Sequence, residues 1–215
     1  MWPTLDSMSS STEVLDLDQD PDEGIEEHTP SRWPFAEMLV SSIIGLVASL
    51  VLSIDAIILA QNPDADLSCN ISDKISCGAV GATWQANLFG WPNAFLGLMA
   101  EPVVITVAIL GLSRVRFPRG FLLTAQFVYT LGFAFALWLF YQSYFNIRYL
   151  CPWCLLVTVT TLLVWTSMTR VNIEAGNFGE GVRRKLTPAL NYNADIFGSI
   201  LLIAVMTAMV VYNYT

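Results

Sequence analysis

Along residues 38–60 (MLVSSIIGLVASLVLSIDAIILA) apolar side chains run almost unbroken, with Asp55 the one charge. A helix crossing the hydrocarbon layer needs about 20 such residues at about 1.5 Å rise each. Four further stretches have the same character: 94–113, 120–142, 150–169 and 196–214. By that length the pattern predicts five membrane-spanning helices. Polar segments separate them. The first connection, 61–93, is much longer than the rest and rich in Gly, Pro, Asn and Trp. Connections of that length are commonly functional or unstructured. This one reads as a folded cap with a short helix near 79–88.

Composition agrees with a membrane protein. Of the 215 residues, 54% are hydrophobic and 13% charged, where soluble domains carry roughly a quarter. The formal charge of −8 misleads, because residues 1–31 hold nine acids and no Lys or Arg, leaving the remainder near neutral. No basic surface suited to nucleic acid is present. The acidic segment has too little apolar surface to offset its chain entropy, so residues 1–36 read as a disordered tail. It lacks the positive start and apolar core of a secretory signal.

Excess Lys and Arg in short loops marks the cytoplasmic side. Arg32, Arg114, Arg116, Arg119, Arg170, Arg183, Arg184 and Lys185 fall at one set of span ends, and only Lys74 and Arg148 at the other. With five crossings the N-terminus is then expected inside and the C-terminus outside, in a multi-pass inner or plasma membrane protein. Trp84, Trp91, Tyr144 and Tyr149 fall at the expected outer edge, where aromatic residues collect. The organisation read from this is a tail (1–36), a four-helix core (37–170) with its outer loop (61–93), a cytoplasmic connection (171–195) and a fifth helix (196–215). The fold class is an all-α integral membrane protein: a four-helix bundle plus one helix, with an extracytoplasmic loop cap.

The four cysteines are Cys69 and Cys77 in the long loop and Cys151 and Cys154 in Cys-Pro-Trp-Cys. All fall on the expected outer side, where disulfides persist. The second pair opens the fourth span, with Pro152 in a first turn that tolerates it. Unpaired N–H groups at a helix start favour thiolate over thiol, so the arrangement is redox-active. Cys151 reads as the more exposed nucleophile and Cys154 as a turn deeper. A dithiol at that depth calls for an electron partner within the membrane, and a lipid-soluble quinone fits best. No flavin, haem or nucleotide signature accompanies it, and the single histidine, His28, lies in the tail. Two structural disulfides would use the same compartment and the same even count. Four cysteines also have the ligand type of a zinc site, but the loop spacing is wide, and no metal is expected.

The stretch SCNISDKISCGAVGATWQANLFGWPNAFLGL, followed later by YLCPWCLL, resembles the bacterial vitamin K epoxide reductase homologues over roughly 40–169. Two loop cysteines, a Phe-Gly-x-Pro-Asn entry to the second helix and then the membrane dithiol carry the likeness. The related quinone-linked oxidases with Cys-x-x-Cys in the first outer loop have the opposite order. The resemblance implies a bundle around a quinone, menaquinone or ubiquinone. It implies that Cys69 exchanges with a thioredoxin-like partner, Cys77 relays to Cys151, Cys154 meets the quinone, and Asn93 hydrogen-bonds a quinone carbonyl. Asn93 follows Pro92, where it is also placed to cap the helix. Thr158 stands where the animal enzymes have tyrosine, which weakens any expectation of epoxide chemistry. Many bacterial relatives continue into a fused thioredoxin-like domain. This chain ends at Thr215, so a separate extracytoplasmic partner is expected.

The function expected is oxidation of a partner dithiol with reduction of quinone, supporting disulfide formation in exported proteins, with the loop moving so that Cys77 can meet both pairs. The rival is a membrane scaffold whose outer loops are stapled by two inert disulfides. Asp55 and Glu101 remain, since charges at membrane depth are costly and often functional. Asp55 is near enough to the outer end to pair with a loop group, and Glu101 is placed to supply protons to a reduced quinone.

Overall fold

The computed structural model describes residues 31–214; the acidic segment 1–30 lies outside the described residues. Seven α-helices follow one another: α1 (Trp33–Gln61), α2 (Cys77–Gly81), α3 (Ala94–Leu112), α4 (Arg119–Tyr141), α5 (Pro152–Glu174), α6 (Glu180–Asn191) and α7 (Ala194–Tyr214). A 3₁₀ turn (Trp84–Asn87) precedes α3, and a π-helical turn (Gln142–Ile147) extends α4. No strand forms among the described residues. Five helices are long and apolar enough to cross a membrane, as the hydrophobic pattern predicts. Their outward faces carry Ile43, Val47, Ile54, Val103, Phe127, Ile200 and Leu201, all exposed. An apolar exterior that extensive suits lipid rather than water.

Helix α1 packs on α3 and α5, and α4 packs on α5. Close approach depends on small residues. Buried Ser41, Ser42, Gly45, Ala48 and Ser49 form one side of α1. A Cβ at Gly97 would lie 2.1 Å from Ser49 Oγ, and one at Gly111 would lie 2.2 Å from the Phe35 ring. Membrane helices gain van der Waals contact this way, because lipid supplies little hydrophobic drive between them. Ser42 and Ser53 hydroxyls donate to carbonyls of their own helix, Met38 O at 2.6 Å and Ser49 O at 2.7 Å. Burying them therefore leaves no unpaired polar group.

The apolar core sits at the end of the bundle near Arg32, Arg114 and Arg119. Phe35, Met38, Val104, Ala108, Leu122, Val164 and Met168 close it. A polar network ties α4 to α5 there. Buried Asn172 donates to Gln126 Oε1 at 3.3 Å and accepts from Asn177 at 2.8 Å. Towards the other end α3 and α4 stand apart around a cavity, and the cysteine loop closes over them. Outside the four-helix bundle, Arg170 of α5 holds α7 through Asp195 at 3.0 Å and is itself braced by Glu174 of α5 at 3.0 Å.

Several boundaries shift from the sequence expectation. Helix α1 begins at Trp33, where Pro34 suits a first turn, so residues 33–36 are helical rather than part of a tail. The connection before α7 is largely the helix α6, which carries Arg183, Arg184 and Lys185. The expected loop helix is two short pieces, because Gly81 and Thr83 interrupt it.

Candidate active site

The cysteine loop is registered on the bundle by its backbone. Ile75 pairs with Leu150 in an isolated parallel bridge. Ser76 N–H donates to Leu150 O at 3.0 Å, and Leu150 N–H donates to Lys74 O at 2.9 Å. Ser76 immediately precedes Cys77 and Leu150 immediately precedes Cys151, so the bridge sets Cys77 beside Cys151. Ser76 then caps α2, its hydroxyl accepting from Ala79 N–H at 3.1 Å. Asn70 accepts from Ser76 Oγ at 2.8 Å and from Gly78 N–H at 3.2 Å, which holds residue 69 close to residue 77. Cys69 and Cys77 form a disulfide with Cα atoms 5.7 Å apart.

Cys151 and Cys154 are free thiols. Cys151 is the N-cap of α5 and accepts from Cys154 N–H at 3.3 Å, with Pro152 opening the helix. Its Sγ lies 3.4 Å from Cys77 Sγ. Hydrogen bonds from the Cys154 thiol and from the N–H groups of Cys154 and Trp153 hold the Cys151 thiol below its ordinary range, against the opposing effect of burial. All four cysteines are thus brought to one place: Cys77 touches both pairs at once.

Two expectations are corrected here. Cys151 is buried at 2% exposure, while Cys154 is only half-buried. The loop bridge covers Cys151, and Cys154 keeps the greater exposure where both line the cavity. Nor does Cys77 need loop movement to reach Cys151. Cys69 is 4% exposed and packs in a cluster with Leu67 and Val80.

Behind Cys154 the cavity has a volume of about 520 Å³ and an apolar lining that includes Leu96, Leu131, Phe135 and Leu155. Ligand sites span roughly 300–1,000 Å³. Asn93, at the start of α3, donates to Gln85 O at 2.6 Å and makes no side-chain cap. Glu101 lies on the same helix at 3% exposure, its Oε1 accepting from the Tyr129 hydroxyl at 3.4 Å. Among the described residues two buried side-chain polar atoms have no hydrogen-bond partner, Asn93 Oδ1 and Glu101 Oε2. Both residues line this cavity. Buried polar atoms are nearly always paired, so the pocket fits a flat apolar molecule with polar atoms at its ends, as a quinone has.

Asp55 does lie against the loop: its Oδ2 is 3.6 Å from Cys69 Sγ, a contact without a hydrogen bond because the disulfide sulfur has no proton to donate. Asp55, Cys69 and Cys77 bring their ligand atoms within 4.8 Å of one another. Sulfurs bonded to each other are not the thiolates a metal takes. Thr158 lines the cavity and spends its hydroxyl on Cys154 O at 2.9 Å.

This order of loop disulfide, α3 entry and membrane dithiol corresponds to a family model. Residues 36–169 match the vitamin K epoxide reductase family. The chain belongs to that family. No curated protein matches it. Family membership supports an oxidoreductase of the membrane, and the matched region takes in α1, α3, α4, most of α5 and the whole cysteine loop. Parts of the site in this vitamin K epoxide reductase homologue carried no readable signal: the Ile75–Leu150 bridge, the Gln85 carbonyl and Tyr129. A tyrosine in the middle of an apolar span was the one hint available for the last.

Proposed function

We propose that this protein oxidises the dithiol of a thioredoxin-like protein outside the membrane and reduces a membrane quinone, menaquinone or ubiquinone. Disulfide formation in exported proteins is the purpose served. In this reading the cysteine end faces outward, the arginine-bearing end faces the cytoplasm and the C-terminus is outside, as the distribution of Lys and Arg favours. The observation that carries the reading is Cys151 Sγ at 3.4 Å from Cys77 Sγ, with Cys154 opening on the apolar cavity.

The steps are exchanges of sulfur partners. A partner thiolate attacks Cys69, the Cys69–Cys77 bond breaks and Cys77 leaves as thiolate. The partner's second thiol then resolves the mixed disulfide, releasing oxidised partner and the Cys69 thiol. Cys77 attacks Cys151 of an oxidised membrane pair, and Cys154 leaves. Cys69 displaces Cys151 from Cys77, which restores the loop disulfide and leaves the membrane pair reduced. A loop disulfide beside two membrane thiols is the arrangement described above. Reoxidation of Cys151 and Cys154 to a disulfide gives up two electrons, which the quinone takes with two protons. The bundle supplies proximity and a dry pocket, and Asn93 orients one quinone oxygen.

The test is reconstitution with a quinone and a reduced thioredoxin-like protein, following quinone absorbance. Quinol formation that requires both Cys69 and Cys154 is the expected result. No turnover with either quinone, in a folded protein whose cysteine-to-serine variants simply lose stability, would establish the stapled scaffold instead.

A further inference from the structure

The cavity has a second polar end that the cysteine relay does not use. Asn93 and Glu101 stand eight positions apart along α3, with Gly97 between them, and all three line the cavity. Eight residues at 1.5 Å rise put about 12 Å between the two along the axis. A 1,4-quinone carries its two C=O bonds, of about 1.2 Å each, on opposite corners of one ring, so its oxygens are roughly 5 Å apart. Adding a hydrogen bond of about 2.8 Å at each end gives roughly 11 Å. Asn93 has a second Nδ2 N–H to donate to one ring oxygen and a partnerless Oδ1 to accept from that oxygen once it is reduced to O–H, and Glu101 has a partnerless Oε2. The two residues are therefore spaced to hold the two ends of one quinone ring.

The seat of Glu101 is built for a carboxyl. A Cβ at Gly45 would lie 2.8 Å from Glu101 Oε1 and 3.0 Å from Thr160 Oγ1, so the glycine in α1 is what admits the side chain. Tyr129 approaches from α4, and Thr161 of α5 and Glu37 of α1 face Tyr129 in turn. Glu37 is hydrogen-bonded to Ser41 and Ser167. These neighbours are hydroxyl groups and one further acid; none of them is a cation. A carboxyl walled by apolar carbon and hydroxyls is stable there with its proton on.

Resting on the quinone reading above, we propose that Glu101 is a catalytic proton donor, giving its proton to the quinone oxygen remote from Cys154 and Asn93, with Tyr129 positioning it. The step balances. The Cys151–Cys154 bond forms, both S–H bonds break, and two electrons pass to the quinone. One thiol proton goes to the near oxygen, and Glu101 protonates the far one. The other thiol proton leaves to water, and Glu101 recovers one from water after the quinol departs. The sum is quinone plus dithiol giving quinol plus disulfide.

The experiment uses the full chain in phospholipid vesicles, with a short-chain 1,4-naphthoquinone as probe and dithiothreitol as reductant. Wild type is compared with Glu101→Gln, Glu101→Asp and Tyr129→Phe. Quinone binding is followed by tryptophan fluorescence, quinol formation by absorbance against pH, and the carboxylic acid band by infrared difference spectroscopy. Glu101→Gln keeps an N–H donor, so binding stays within about threefold, while kcat falls about 10²–10⁴-fold, the range for a lost general acid. Its pH profile loses a limb and its infrared difference loses the acid band. Glu101→Asp recovers part of kcat, and Tyr129→Phe lowers kcat with KM little changed. Glu101→Gln with wild-type kcat and pH profile overturns the proposal while leaving the quinone reading intact; wild type that reduces no quinone overturns both. If Glu101→Gln does not fold, the other two variants decide, and wild-type kcat in both is equally fatal.

Discussion

The contact between Cys77 and Cys151 admits a direct test with the double variant Cys69→Ala/Cys154→Ala. It removes the natural partner of each sulfur and leaves only the pair whose Sγ atoms lie 3.4 Å apart. That separation falls in the near-attack range of about 3–3.5 Å, where oriented groups reach effective molarities up to about 10⁵–10⁸ M. Rotamer freedom of the two cysteine side chains consumes much of this. Even about 10 M retained exceeds a millimolar external thiol by about 10⁴-fold, or roughly 5.5 kcal/mol. Mild oxidation should therefore give a Cys77–Cys151 disulfide in nearly all molecules, and millimolar reduced glutathione should not open it. The assay is alkylation of residual thiols followed by non-reducing proteolysis and mass spectrometry. Cys77–Cys154, built by Cys69→Ala/Cys151→Ala, is the control and should form far less completely. Two alkylated thiols in folded Cys69→Ala/Cys154→Ala protein would refute the contact and, with it, the relay.

Other outcomes follow from the same geometry. Because Cys154 is the first cause of the lowered Cys151 thiol, the anion persists to lower pH than in an ordinary thiol. Attack of the Cys151 thiolate on Cys77 of the loop disulfide, the reverse of the transfer proposed above, should stay fast below about pH 8.5 and slow only as pH falls through the lowered value. Cys154→Ser should keep that low midpoint and Cys154→Ala should raise it, read from the pH dependence of Cys77–Cys151 bond formation. Asn93→Leu should raise the quinone KM about tenfold, the loss of one hydrogen bond of about 1–1.5 kcal/mol, yet leave α3 intact, since the side chain caps nothing. Gly97→Ala should destabilise the bundle by about 1–3 kcal/mol through overpacking, with Ser49→Gly restoring part of the melting temperature. Arg170→Met strands Asp195 and Glu174. Its cost should fall below the 3–5 kcal/mol of a fully buried pair, because these side chains keep 13–19% exposure, and limited proteolysis should release α7 first.

Much of this architecture is a one-dimensional property. A span is read from apolar length because lipid forces each backbone group to find its partner within the same helix, so five spans were legible before any contact was known. The order of the cysteines and the Phe-Gly-x-Pro-Asn entry to α3 are local too, and they pointed to the family that residues 36–169 match. Approach between elements was not legible. Nothing in the spacing of Cys77 and Cys151 says that Ile75 and Leu150 pair, which is what sets those sulfurs together and buries the one expected to be exposed. Sequence marked Glu101 as costly at its depth. Only the packing shows that Gly45 makes room for it, that Tyr129 meets it, and that it shares a cavity with Asn93. Helix formation in lipid is decided along the chain, whereas a site is decided by which side chains from distant positions end up within a few ångströms of one another.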